Sequence, residues 1–161
     1  MITKYLKFAL IVLLFPAFAN AEQPTTTKKA LELLVYKTPT CGCCKKWISH
    51  IENENIVAYS KDYQDISFIK NKFGIKSNYR SCHTAISKEG FIFEGHVPAK
   101  FIHQFLSEQH KNAIGLSVPA MPVGSPGMEM DGRFMPYHVL ILFSDGSNKV
   151  YAKVDSYEEQ F

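Results

Sequence analysis

Three thiols fall within four residues, Cys41-Gly42-Cys43-Cys44, at the point where an apolar run gives way to an amphipathic helix. No other feature limits so strongly what this chain can fold into. Residues 31–37 form the apolar run, closed by Thr38-Pro39-Thr40, the pattern of a buried strand entering a turn. After the cysteines, Trp47, Ile48 and Ile51 recur at helical spacing while Lys45, Lys46 and Glu52 fill the opposite face, so a helix opens inside the cysteine motif. Positions three apart share one helical face, which brings Cys41 and Cys44 together with Cys43 alongside. The unpaired N–H groups and the positive end of the helix dipole favour thiolate over thiol there.

Residues 56–59 read as a second strand, and residues 62–73, with Ile66, Ile69, Phe73 and Gly74 just beyond, as a capped second helix. Residues 82–87 and 91–94 flank Lys88-Glu89-Gly90 as a hairpin. Pro98 is placed to start a third helix carrying Phe101, Ile102, Phe105 and Leu106. The order β-α-β-α-β-β-α predicts an α/β domain with a thioredoxin-like central sheet flanked by helices. A C-terminal strand pair, residues 139–143 and 149–153, closes through Ser144-Asp145-Gly146-Ser147. Between them, residues 115–136 hold four of the eight prolines together with Met121, Met128, Met130 and Met135. They read as a Pro/Gly/Met-rich loop whose length points to a function.

The N-terminus predicts export. Lys4 and Lys7 precede the apolar run 8–15, and Ala19-Asn20-Ala21 has the small residues signal peptidase requires. The expected organisation is a cleaved signal peptide over 1–21, a polar linker over 22–30 and one domain over 31–161 of an exported protein. The run is shorter than the ~20 residues a bilayer span needs, so no stable membrane insertion is expected. Removing Lys4 and Lys7 leaves 16 basic against 15 acidic groups, a balance that excludes phosphate-driven nucleic-acid binding.

Three chemistries compete for the cysteines. Structural disulfides suit an oxidising compartment, but linking adjacent Cys43 and Cys44 makes a strained ring and short loops stabilise little. A dithiol oxidoreductase would use Cys41 and Cys44 as C-x-x-C, with Cys43 able to scramble the bond. A soft-metal site uses all of them, and thiolate and thioether donors select Cu(I); tightly packed sulfurs suit a mononuclear tetrahedral zinc site poorly. The soft-metal reading is preferred. Cys82, at the start of the third strand, is expected to converge on the first helix and complete a four-sulfur group. His96, on a turn, and His83 are the candidate imidazoles, although strand alternation would turn His83 away from the side Cys82 faces. His50, His103 and His110 are read as solvated or packing residues on helices. Met121 and Met128 are candidates for thioether contact or copper entry, and Met130 and Met135 are read as packing.

Taken together, Cys41-Gly42-Cys43-Cys44-Lys45-Lys46-Trp47, Ser81-Cys82-His83-Thr84-Ala85, Gly95-His96-Val97-Pro98 and the segment from Met121 to Met128 resemble the periplasmic copper-resistance proteins of the CopG type. The resemblance spans residues 31–143. It implies a thioredoxin-like fold holding a cysteine-bridged multinuclear copper cluster, with Cys41, Cys43, Cys44 and Cys82 as bridging ligands, and a copper oxidoreductase role cycling Cu(I) and Cu(II) in resistance. Ala120 departs from the pattern, which expects glycine before Met-Pro-Val-Gly. Two rivals stay open: a thiol–disulfide oxidoreductase, and a passive carrier delivering copper to periplasmic efflux components.

Overall fold

A computed structural model describes residues 30–161; the expected signal peptide and most of the linker lie outside the described residues. Strand β1 (Leu31–Lys37) passes through helix α1 (Gly42–Asn53) to the parallel strand β2 (Ile56–Asp62). The short helix α2 (Ser67–Lys72) leads to β3 (Thr84–Ser87), which lies antiparallel against the other side of β1 and turns back into β4 (Ile92–Glu94). Helix α3 (Ala99–Ser107) crosses to β5 (Ala113–Ser117), parallel to β4. Strands β6 (Tyr137–Phe143) and β7 (Asn148–Val154) follow antiparallel. One seven-stranded mixed sheet results, in the order β2-β1-β3-β4-β5-β6-β7. Among the described residues, no helix is long and apolar enough to cross a membrane.

The core follows from the apolar stripes. Leu33 and Val35 of β1, Trp47 and Ile51 of α1, Phe93 of β4, and Ile102 and Phe105 of α3 pack into one buried cluster, each contributing about 2 kcal/mol by leaving water. A smaller cluster of Ile75, Ile92 and Leu142 lies apart from it.

Several elements differ from the pattern reading. Asp62 ends β2 rather than starting a helix, and its carboxylate meets Lys37 Nζ at 2.6 Å. Helix α2 begins only at Ser67, whose N–H donates to Asp65 Oδ1 at 2.8 Å. The expected loop over 115–136 opens later, because residues 113–117 form β5, and through β5 the C-terminal strand pair joins the central sheet. Gly115 reads locally as a breaker, yet the strand requires it. At φ +147° an added Cβ would sit 1.8 Å from the Ile92 carbonyl oxygen, so only glycine lets β5 close on β4.

His50 is neither solvated nor mere packing. Pro98 offers α3 no side-chain cap, and the N–H of Ala99 donates instead to His50 Nε2 at 3.1 Å. His110 lies beyond the end of α3 and stacks on Phe105 at 4.4 Å. Burial lowers the pKa of His50. The unfolded chain therefore binds the proton more tightly, and this contribution is present above the ordinary imidazole range and lost as pH falls. Between about pH 7.5 and pH 5, the urea midpoint of metal-free protein is expected to drop, and His50→Gln to drop less steeply.

Candidate metal centre

The site is assembled by strand register. Tyr36 of β1 pairs with Thr84 of β3, Thr84 with Glu94 of β4, and Glu94 with Ser117 of β5. The chain therefore leaves β1, enters β3, leaves β4 and leaves β5 at one end of the sheet. The cysteine motif, Ser81-Cys82-His83, Gly95-His96 and the methionine loop all start from that end.

Cys41 is the N-cap of α1 and its sulfur accepts the Cys44 N–H at 3.2 Å. The sulfur atoms of Cys41, Cys43, Cys44 and Cys82 lie within 4.8 Å of one another. Cys43 Sγ is 3.5 Å from Cys41 Sγ and 3.7 Å from Cys82 Sγ. The sulfurs are not all thiols: Cys41 and Cys44 are joined in a disulfide, and Cys43 and Cys82 are free.

Cys82 also belongs to a second group, with His83 and His96. His96 Nδ1–H donates to the Pro126 carbonyl at 2.8 Å, which leaves the Nε2 lone pair facing Cys82 Sγ at 3.1 Å. A backbone carbonyl orienting a ring in this way is the usual support of a metal-binding histidine. His83 Nδ1 lies 3.3 Å from Cys82 Sγ, contrary to the expectation from strand alternation. The reason is local: β3 begins at Thr84, so residues 82 and 83 precede the pleat and share a side. His83 is wholly buried against Trp47 at 4.3 Å, and its Nε2 has no hydrogen-bond partner among the described residues.

Burial governs the electrostatics. It lowers the pKa of His96 and, with the help of His96 and Lys70, takes that of His83 well below its usual range. Burial and the neighbouring Cys43 push the Cys82 thiol up to about 12. Cys82 is not at the helix start, and the thiolate tendency expected there does not extend to it. A proton held this tightly leaves when a metal takes the sulfur.

Two supporting residues escaped the sequence reading. The Glu94 carboxylate accepts the Ser81 N–H at 2.7 Å and the Thr84 hydroxyl at 2.6 Å, and forms a buried ion pair with Lys70, whose Nζ also reaches Thr84 Oγ1 at 3.0 Å. One carboxylate therefore ties the strand that leads to His96 to the loop that carries Cys82. Burial raises the Glu94 pKa despite Lys70. The available signal was Lys70 itself, which occupies the apolar stripe of Ile66, Ile69 and Phe73. Gly95 completes the junction, since at φ +74° an added Cβ would lie 2.5 Å from Ser81 Cβ. Lys70→Met leaves a buried carboxylate unpaired and is expected to cost about 3–5 kcal/mol. Chemical denaturation should show this loss, and Lys70→Met combined with Glu94→Gln should recover part of it.

The methionine loop is held mainly through its backbone. Gly127 packs so close to α1 that a Cβ there would lie 2.7 Å from the Cys43 oxygen. Ser81 Oγ donates to the Ala120 carbonyl, and Ala120 N–H to the Arg80 carbonyl at 3.2 Å. Ala120 has φ +59°, so the residue that departs from the family pattern occupies a conformation glycine would adopt more easily, at a cost of about 1 kcal/mol. Met121 is 48% exposed and Met128 half-buried. Met130 and Met135 are exposed as well, which corrects their reading as packing residues; the loop turns their side chains outward because its buried positions are taken by residues 124–127.

The comparisons agree with this geometry. A family profile described as "Protein of unknown function, DUF411" matches residues 79–128, and no curated protein matches the chain. Among solved structures, "Copper resistance protein copG", form 1, is 37% identical with a TM-score of 0.74, over 80% of this chain and 100% of that one. Form 2 is 36% identical with a TM-score of 0.73, over 78% and 99%. The chain belongs to the CopG family of copper-resistance proteins.

Proposed function

We propose that this is a periplasmic copper-resistance protein, exported by its N-terminal signal peptide, whose thioredoxin-like domain over 31–161 holds a cysteine-bridged cluster of several copper ions, chiefly Cu(I), and cycles them between Cu(I) and Cu(II). The observation that carries this reading is the sharing of Cys82 between a four-sulfur group and a group with two imidazoles. Sulfur and neutral imidazole are soft and borderline donors suited to cuprous ions, and the lone pair of His96 Nε2 already faces the sulfurs. A thiolate can bridge, so four sulfurs can serve more than one ion. The candidate ligands are Cys41, Cys43, Cys44, Cys82, His83 and His96, with Met121 and Met128 at the copper entry, and periplasmic efflux components are the proposed recipients of the metal.

The Cys41–Cys44 disulfide must open before all four sulfurs can bind. Reduced protein is expected to take more than one Cu(I) per chain in competition with a cuprous chelator, and the disulfide form to take fewer, with thiol reduction restoring the difference. Saturation of fully reduced protein at one equivalent would defeat the cluster. Cys82 joins both donor groups, so Cys82→Ser is expected to lose most bound copper while keeping a native circular dichroism spectrum; full copper loading in that variant would remove Cys82 from the ligand set.

A second reading has one observation in its favour. A C-x-x-C disulfide at a helix start, with Cys41 half-buried and Cys44 buried, is the arrangement of a thiol–disulfide oxidoreductase. Insulin reduction by metal-free protein separates the two, and catalytic turnover there would favour exchange chemistry.

A further inference from the structure

The four sulfurs divide into a bonded pair and a free pair. Cys41 and Cys44, at the start of α1 with Cα atoms 5.3 Å apart, are joined, a separation at which a disulfide closes without backbone movement. Cys43 and Cys82 are free thiols 3.7 Å apart, and Cys82 stands with His83 and His96. A pocket that retains sulfur and imidazole donors after its other two sulfurs have combined can do more than bind.

We infer that Cys41 and Cys44 act as a built-in two-electron reductant for cupric ions, and that Cys43, Cys82, His83 and His96 receive the cuprous product. The inference rests on the copper-binding reading and supplies the electron source for its redox step. The step balances without another reagent: each of two Cu(II) ions gains one electron, the sulfurs of Cys41 and Cys44 each lose one, one S–S bond forms, and the two thiol protons pass to water. Repeated turnover needs an external thiol or dithiol, oxidised in turn as it reopens the disulfide.

The geometry assigns the roles. Cys43 is adjacent in sequence to Cys44 and a bond between them would be strained, so Cys44 finds its partner in Cys41 on the same helical face. Once joined, these sulfurs carry no charge and are poor ligands. Cys43 Sγ, 3.5 Å from Cys41 Sγ and 3.7 Å from Cys82 Sγ, bridges the spent pair to the remaining donors. The His96 Nε2 lone pair, 3.1 Å from Cys82 Sγ, and His83 Nδ1 complete a soft set that retains Cu(I).

The test uses the full mature chain, reduced and freed of reductant, mixed anaerobically with cupric chloride. Electron paramagnetic resonance counts the remaining Cu(II), and after chelation the thiols are alkylated and mapped by peptide mass. Two Cu(II) should disappear per chain, with Cys43 and Cys82 alkylated and Cys41 linked to Cys44. Cys41→Ser and Cys44→Ser, each checked for native near-ultraviolet circular dichroism, should slow Cu(II) loss at least tenfold. A bond mapped to Cys43 and Cys82 or between two chains, unchanged rates in both variants, or four free thiols with the cupric signal intact would each overturn the inference. Protein that binds several Cu(I) yet leaves Cu(II) unreduced defeats the inference alone; protein that reduces Cu(II) but holds no Cu(I) defeats the copper-binding reading and, with it, the receiving role of Cys43, Cys82, His83 and His96.

Discussion

The antiparallel pairing of β1 with β3, with Tyr36 set opposite Thr84, is the constraint on which the rest of this molecule depends. It puts the end of one strand beside the beginning of another that follows more than forty residues later. Cys82 then lies next to the helix start that carries the other three cysteines. A shift of one residue would turn every side chain of β3 to the opposite face, taking Ala85 out of the core and moving Thr84 away from Glu94. The register is held on one side by Ala85 and Phe93 packed in the core, and on the other by the Lys70, Glu94 and Thr84 network. Close backbone approaches at Gly95, Gly115 and Gly127 let the surrounding segments close on it.

Burial disfavours the charged forms of three donors in the pocket. His83 and His96 are kept neutral by burial, and Cys82 keeps its proton for the same reason. The Lys70–Glu94 ion pair beside the pocket is internally compensated and directs its hydrogen bonds to Ser81 and Thr84. A buried pair of this kind adds little net stability but punishes the loss of either member, which suits a device that fixes a loop. On the proposed copper-binding reading, metal uptake would exchange the Cys82 proton for a cation.

The disulfide gives the helix start two chemical states. As a closed pair, Cys41 and Cys44 resemble the redox dithiol of an exchange enzyme; opened, they are proposed to act as ligands together with Cys43, Cys82, His83 and His96. Both states use the same N-cap position, because a helix N-terminus offers unpaired N–H groups to whatever sulfur stands there, and Cys44 N–H already points at Cys41.

The strand, turn, cysteines and helix of residues 31–53 were legible because each signal is local: an apolar run, a proline turn, and hydrophobic residues at helical spacing. The β3–β4 hairpin and α3 were legible for the same reason, within two residues at their ends. Strand β5 was not, because Gly115 marks a break in any local reading, while its need arises from the Ile92 backbone of a different strand. The facing of His83 was misread because the pleat starts two residues later than the sequence suggests, and His50 as a cap for α3 is invisible without the packing of two helices. By itself the sequence determined which residue types could bind a soft metal and where the helix beneath them begins, since both depend on short-range spacing. The convergence of Cys82 on that helix was expected from the strand order, but only the tertiary structure decided that both His83 and His96 meet Cys82, and that Lys70 and Glu94 hold the loop there. That meeting depends on strand register and burial between distant segments, and neither is encoded at any single stretch of chain.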